Sequence, residues 1–196
     1  MSGIISDNVS RSSGLVKSAG GGAMTLLNTT TVSSGVSSVT INPPFSSTYR
    51  EYRISFDYFD TDTDTHIELT FLQSDDTEKT SAYSWTANGS SAGTGLQTGN
   101  DSDSCINLSG GTASTYKMAQ ADGSFNGGLT IYNPQQTANT CGTGELYWLY
   151  STQAHGNNIH FSCGNSTGDT TSYTQFKIAV GSGNIDNATI RTWGIN

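Results

Sequence analysis

Basic side chains are scarce in this sequence. Its 196 residues include four Lys and four Arg, scattered along the chain, against sixteen Asp and Glu, for a formal net charge of −8. A nucleic-acid binder carries a basic patch or stripe, so no nucleic-acid partner is expected. Charge of either sign is also low, at 12% of residues, about half the usual share. Disorder that stems from low hydrophobicity normally comes with high charge. Here a hydrophobic fraction of 33% coexists with low charge and 10% aromatics. The remainder is largely Gly, Ser, Thr and Asn, and this composition points to a β-rich domain with polar faces.

Other absences narrow the function further. Cys105, Cys141 and Cys163 are the only cysteines, an odd number without CxxC spacing. That is neither a disulfide framework nor a zinc site, and three unpaired thiols are expected. The start, Met1-Ser2-Gly3-Ile4-Ile5-Ser6, has no basic n-region and no apolar h-region, so no secretory leader is read there. No apolar run reaches bilayer length, and membrane insertion is not expected. No segment keeps a helical period, and no phosphate-cradling glycine loop occurs. Gly93-Thr94-Gly95-Leu96-Gln97-Thr98-Gly99 has the wrong spacing for one.

What is present is alternation. Tyr52, Ile54, Phe56 and Tyr58 fall on every second position, as do Ile67, Leu69 and Phe71. Leu129 with Ile131, Ile159 with Phe161 and Cys163, and Phe176 with Ile178 and Val180 repeat the pattern. Period two marks half-buried strands. Ile190, Trp193 and Ile195 predict a last short strand. Turn chemistry at Asn42-Pro43-Pro44, Asn88-Gly89, Ser109-Gly110-Gly111, Gly127-Gly128, Gly142-Thr143-Gly144 and Gly181-Ser182-Gly183 predicts the breaks between strands. The fold class expected is all-β, an antiparallel sandwich of roughly ten strands. A jelly roll is the preferred topology and another Greek-key order the alternative. Residues 1–22 end in Ala19-Gly20-Gly21-Gly22 and hold few apolar residues. They read as an extended arm, with residues 23–196 as a single sandwich domain. Leu146-Tyr147-Trp148-Leu149-Tyr150 is apolar throughout. It predicts a strand covered on both faces, with Tyr147 and Leu149 meeting another subunit of a homo-oligomer, a trimer being preferred.

Three motifs bear on chemistry. Gly164-Asn165-Ser166-Thr167-Gly168 matches a nucleophile elbow, but a strand pattern follows it. His66, His155 and His160 all precede the serine, against the elbow's usual order, and a turn is the better reading. Asp60-Thr61-Asp62-Thr63-Asp64 resembles the opening of a calcium loop. Thr65 and Phe71 stand where such a loop needs Gly and a bidentate acid. Asp60, Asp62 and Asp64 therefore remain weak Ca2+ candidates, and no cofactor is otherwise expected. Asp75, Asp76 and Glu78 read as a polar turn and not as a glycosidase pair. Among the aromatics Trp85, Tyr116, Tyr132, Tyr147, Tyr173 and Trp193, any that stand on a surface near Asn and Asp could hold a sugar; at core positions they are packing.

The opening from Ile5-Ser6-Asp7-Asn8-Val9-Ser10-Arg11 to Leu15-Val16-Lys17 resembles the start of short virion proteins of marine tailed phages. The close, Gly183-Asn184-Ile185-Asp186-Asn187 to Trp193-Gly194-Ile195, is similar to the last hairpin of β-sandwich modules in those proteins. Tyr49 to Phe56 looks like a strand that those modules carry. The resemblance covers about a quarter of the chain by motif and implies a particle component on the virion surface. Ile4, Ile5, Val9, Arg11, Leu15, Val16 and Lys17 would anchor it to other virion proteins. It implies no catalytic residues. Two functions follow as expectations: a capsid decoration or appendage protein, and a tail-fibre or receptor-binding module for a host surface glycan. An enzyme such as a depolymerase ranks third.

Overall fold

The structure is a computed structural model that describes residues 24–42, 44–91, 94–110, 124–150, 153–163 and 171–196. The proposed arm, with Ile4, Ile5, Val9, Arg11, Leu15, Val16 and Lys17, lies outside the described residues, as do Tyr116 and the Gly164–Gly168 motif.

Alternation of apolar and polar side chains builds twelve strands among the described residues. They are β1 (Thr25–Val32), β2 (Ser38–Ile41), β3 (Glu51–Thr61), β4 (Ile67–Leu72), β5 (Tyr83–Ser91) and β6 (Thr94–Asp103). They continue with β7 (Ile106–Asn107), β8 (Phe125–Tyr132), β9 (Thr140–Tyr150), β10 (Gln153–Cys163), β11 (Gln175–Val180) and β12 (Ile185–Ile195). An eight-stranded sheet runs β1-β12-β3-β8-β9-β10-β5-β6, and a four-stranded sheet runs β2-β11-β4-β7. Each pairing is antiparallel. The fold is thus an all-β antiparallel sandwich, as the alternation predicts.

The core lies between the sheets. Tyr52, Ile54 and Phe56 of β3, Leu129 and Ile131 of β8, Ile159 and Phe161 of β10, and Ile190 of β12 face Ile67, Leu69 and Phe71 of β4 and Phe176 and Ile178 of β11. One aromatic cluster gathers Phe45, Tyr52, Phe71, Tyr83, Phe161, Tyr173 and Phe176. A second joins Phe56, Phe59, Phe125 and Trp148. Burying such rings is the main driving force for closing the sandwich.

Three sequence expectations need correction. Tyr58 does not continue the buried row of β3. A β-bulge places Asp57 and Tyr58 against the single residue Asn126 of β8, so Phe59 turns inward and Tyr58 is expelled. Next, Asn88-Gly89, Gly127-Gly128 and Gly142-Thr143-Gly144 are not turns but lie inside β5, β8 and β9. The cause is close cross-strand packing: a Cβ on Gly142 would sit 2.2 Å from Phe161 Cζ, and one on Gly127 2.3 Å from the Glu145 carbonyl oxygen. In the single chain the run from Leu146 has Leu146 and Trp148 buried and Tyr147 exposed. Last, β12 is eleven residues long, and its buried residues include Ile185, Ala188, Ile190 and Thr192, while Trp193 and Ile195 take the other face.

The Asp60–Asp64 segment closes one end of the sandwich. Asp62 accepts hydrogen bonds from the Asn184 backbone N–H (2.7 Å) and side-chain amide (2.9 Å). Thr63 Oγ1 donates to the Ser182 carbonyl, and Ser182 N–H donates to Thr65 Oγ1. The β3–β4 loop is therefore clasped to the β11–β12 loop.

Candidate functional site: the outer face of the large sheet

Side chains on β3, β8, β9 and β10 alternate, and registry aligns their outward members into rows. One row runs Trp193, Arg53, Thr130, Thr143, His160, Thr86. The next runs Arg191, Ser55, Gly128, Glu145, Asn158, Asn88. A third places Asn126, Tyr147 and Gly156 side by side. These rows line a furrow of about 640 Å³ that includes Arg53, Asp57, Gly128, Glu145, Asn158 and His160.

Two outward glycines shape it. A Cβ on Gly128 would lie 2.9 Å from the Ile54 carbonyl oxygen, so the sheet surface there stays bare. At Gly156 a Cβ would meet Tyr147 Cδ1 at 3.2 Å, so the tyrosine ring lies over that glycine. A smaller furrow of about 350 Å³ opens beyond it, lined by Asn88, Tyr147 and Asn158. Tyr147 thus forms a ridge between two depressions.

The electrostatics of the face are balanced. Asp57 pairs with Arg191, and Ser55 Oγ also lies within hydrogen-bond reach of Asp57. Tyr147 Oη donates to Glu145 Oε2 at 3.2 Å. That bond and the carboxylate charge push the phenol above its ordinary value. Arg53 stands exposed. Tyr58, 63% exposed, has φ 50°, a conformation that is an outlier for a bulky side chain. Its N–H donates to Asn126 Oδ1 at 3.0 Å. Asn126 is in turn the cross-strand partner of Tyr147, which is 55% exposed. Tyr58 and Tyr147, carried by strands two positions apart, thus flank the same asparagine.

The residues singled out by sequence are dispersed. Asp62 is committed to Asn184, and those hydrogen bonds hold its carboxyl below the usual range. Asp60 Oδ1 accepts the Thr61 N–H. Among the described residues no group of three or more His, Cys, Asp or Glu is arranged to hold a metal, so Asp60, Asp62 and Asp64 form no such group. The acids from Asp57 to Glu68 do not make one negative patch: Asp57 meets Arg191 on the large sheet and Glu68 meets His66 at 2.7 Å on the small one. The three histidines are separate. His155 is buried and stacked on Trp148 at 5.8 Å, and burial lowers its pKa. The three cysteines are free. Cys105 is pushed up to about 12 by burial and by the Glu68 and Asp103 carboxylates. Trp85 and Tyr173 are core residues, whereas Tyr147 stands on the furrow. The backbone of Leu149 continues β9, but its side chain is outside the described residues.

Sequence reasoning passed over Arg53, Tyr58, Asn126, Glu145, Asn158 and His160. The signal for Tyr58 was there: Phe56, Tyr58 and Phe59 cannot all obey period two, so one must be displaced. Asn158 and His160 alternate with Ile159 and Phe161, which fixes them outward. The chain matches no protein-family model, no curated protein and no solved structure.

Proposed function

We propose that this chain is a non-enzymatic structural protein displayed on the surface of a tailed-phage particle. Residues 1–22 tether it to other virion proteins, and the sandwich is displayed outward. The observation that carries the reading is the broad outer face of the large sheet, where polar side chains and an exposed tyrosine surround an open furrow. Such a face suits recognition or assembly. The strand order supports a jelly-roll description. With the β5–β6 and β9–β10 hairpins set aside, β1-β12-β3-β8 and β2-β11-β4-β7 are two four-stranded sheets between which the chain passes as it does in a jelly roll.

The placement we adopt is capsid decoration or appendage, as a homotrimer. Quantitative mass spectrometry of intact particles tests it. Copy numbers in the hundreds support decoration, whereas about a dozen place the chain at a tail or vertex, where symmetry allows few copies. The furrow favours a second reading, a tail-fibre or receptor-binding module for a host surface glycan, because its aromatic ridge and mixed donors and acceptors suit a hydroxylated ligand.

A further inference from the structure

We propose that the outer face of the large sheet binds a neutral oligosaccharide lying across β3, β8, β9 and β10, with Tyr147 and Tyr58 as its stacking platforms. The inference rests on reading this face as a recognition surface and goes on to name its ligand class and residues.

Four observations converge. Tyr58 and Tyr147 are the two exposed large aromatics among the described residues, and both stand beside Asn126. Tyrosine offers a large, rigid, amphipathic contact surface at low entropic cost, suited to the CH face of a sugar ring. Their strands are two spacings apart, roughly 10 Å, a distance that two linked sugar rings span.

Tyr58 also holds its position against backbone strain. A bulky residue at positive φ persists where its surroundings over-determine it, and such outliers cluster at binding sites. Here the bulge and the Asn126 amide hold it.

The polar groups around the furrow are mixed and uncommitted. The side chains of Arg53, Asn158 and His160 make no hydrogen bond or ion pair to other described residues, and Glu145 keeps Oε1 beyond its bond to Tyr147. Guanidinium donors, a carboxylate acceptor and an amide that does both match sugar hydroxyls, which donate and accept.

Charge chooses among ligands. Arg191 offsets Asp57, and Arg53 offsets Glu145, so the charges at the furrow balance within a chain of net charge −8. An anionic ligand would find no excess of cations. A second protein surface would be met by an interface core depleted in charge, and this one is rich in it.

Affinity electrophoresis of the full chain tests the proposal, in gels containing mixed-linkage β-glucan, galactomannan or dextran, with alginate as the acidic comparison. At least one neutral gel retards the protein. Tyr147→Ala weakens that retardation at least tenfold, and Tyr58→Ala and Asn158→Ala weaken it severalfold. Tyr147→Phe, which keeps the ring, and Thr40→Ala, on the small sheet, leave it unchanged. Circular dichroism melting checks that each variant is folded. No retardation by any neutral gel, retardation by alginate alone, or equal retardation of all variants overturns the proposal. So does sedimentation in which Tyr147→Ala dissociates an oligomer, because the face is then a subunit interface. Copy number on the particle is read separately: if Tyr147→Ala keeps its copy number and loses retardation, the sugar site is distinguished from the assembly role.

Discussion

The two sheets of this sandwich treat their outward-facing polar residues in opposite ways. On the small sheet, Thr40, Lys177 and Thr70 form a cross-strand row, and Glu78 from the β4–β5 connection lies over it. Thr70 Oγ1 donates to Glu78 Oε1 at 2.7 Å, and Lys177 pairs with Oε2. The connection covers this face so well that Thr70, Leu72 and Gln175 are only 6%, 6% and 4% exposed. On the large sheet, by contrast, Arg53, Asn158 and His160 face solvent. Polar groups that satisfy one another hold a fold together. Polar groups left to water are available to a ligand. One chain, with one composition, has made both kinds of face, and the difference lies in whether a loop folds back over the strand row.

The comparison is most severely tested by core removal on the small sheet. Phe71 is fully buried against Phe45, Tyr83, Phe161 and Tyr173. Phe71→Ala should lower unfolding stability by about 3–5 kcal/mol in urea titrations. Next comes the peg that holds the covering loop. Tyr83 Oη accepts the Phe71 N–H at 2.8 Å and donates to the Lys79 carbonyl at 3.1 Å. Tyr83→Phe leaves that amide buried without a partner and should cost about 1–3 kcal/mol, with faster hydrogen exchange at Phe71.

A smaller effect attends Glu78. Partial burial alone would raise its carboxyl, but hydrogen bonds from Lys177 and Thr70 and the Lys177 charge outweigh it and hold the group below 4.5. The unfolded chain therefore takes up the proton first as pH falls. The stabilisation is complete above the unfolded value and is lost as pH drops through the folded one. Glu78→Gln should cost about 1 kcal/mol at neutral pH, given its partial exposure, and should flatten the pH dependence of the urea midpoint below about pH 4.5. The smallest effect belongs to the open face: Tyr147→Ala should change stability by less than about 0.5 kcal/mol. A large loss there would mean that the two faces are not different in kind.

Much of the sandwich was legible because period two is strict where one face is buried. Ile67, Leu69 and Phe71, and Phe176, Ile178 and Val180, all lie on the predicted inner face. The β5–β6 hairpin was not legible. Its strands are built from Ser, Thr, Asn and Gly, which mimic loop composition, and among the described side chains Tyr83, Trp85 and Ala87 alone mark the buried side. Glycines misled for a related reason: at Gly127 and Gly142 the missing side chain makes room for a neighbouring strand and not for a turn. The furrow was the least legible part. Its members come from four strands between Arg53 and His160, and only registry brings them together.

The β9–β10 hairpin sits between β8 and β5. Because each of these neighbours is antiparallel to the next, β8 and β5 are themselves antiparallel, and they would remain compatible partners without it. The pair is thus topologically an insert that widens the sheet by two strand spacings, roughly 10 Å, without altering the path of the chain through the rest of the sandwich. Glu145, Tyr147, Asn158 and His160 all reside on that insert. Most of the furrow's chemistry is therefore carried by one hairpin whose inner residues, Leu146, Trp148, Ile159 and Phe161, belong to the core, so its outer side chains can change while its inner ones stay.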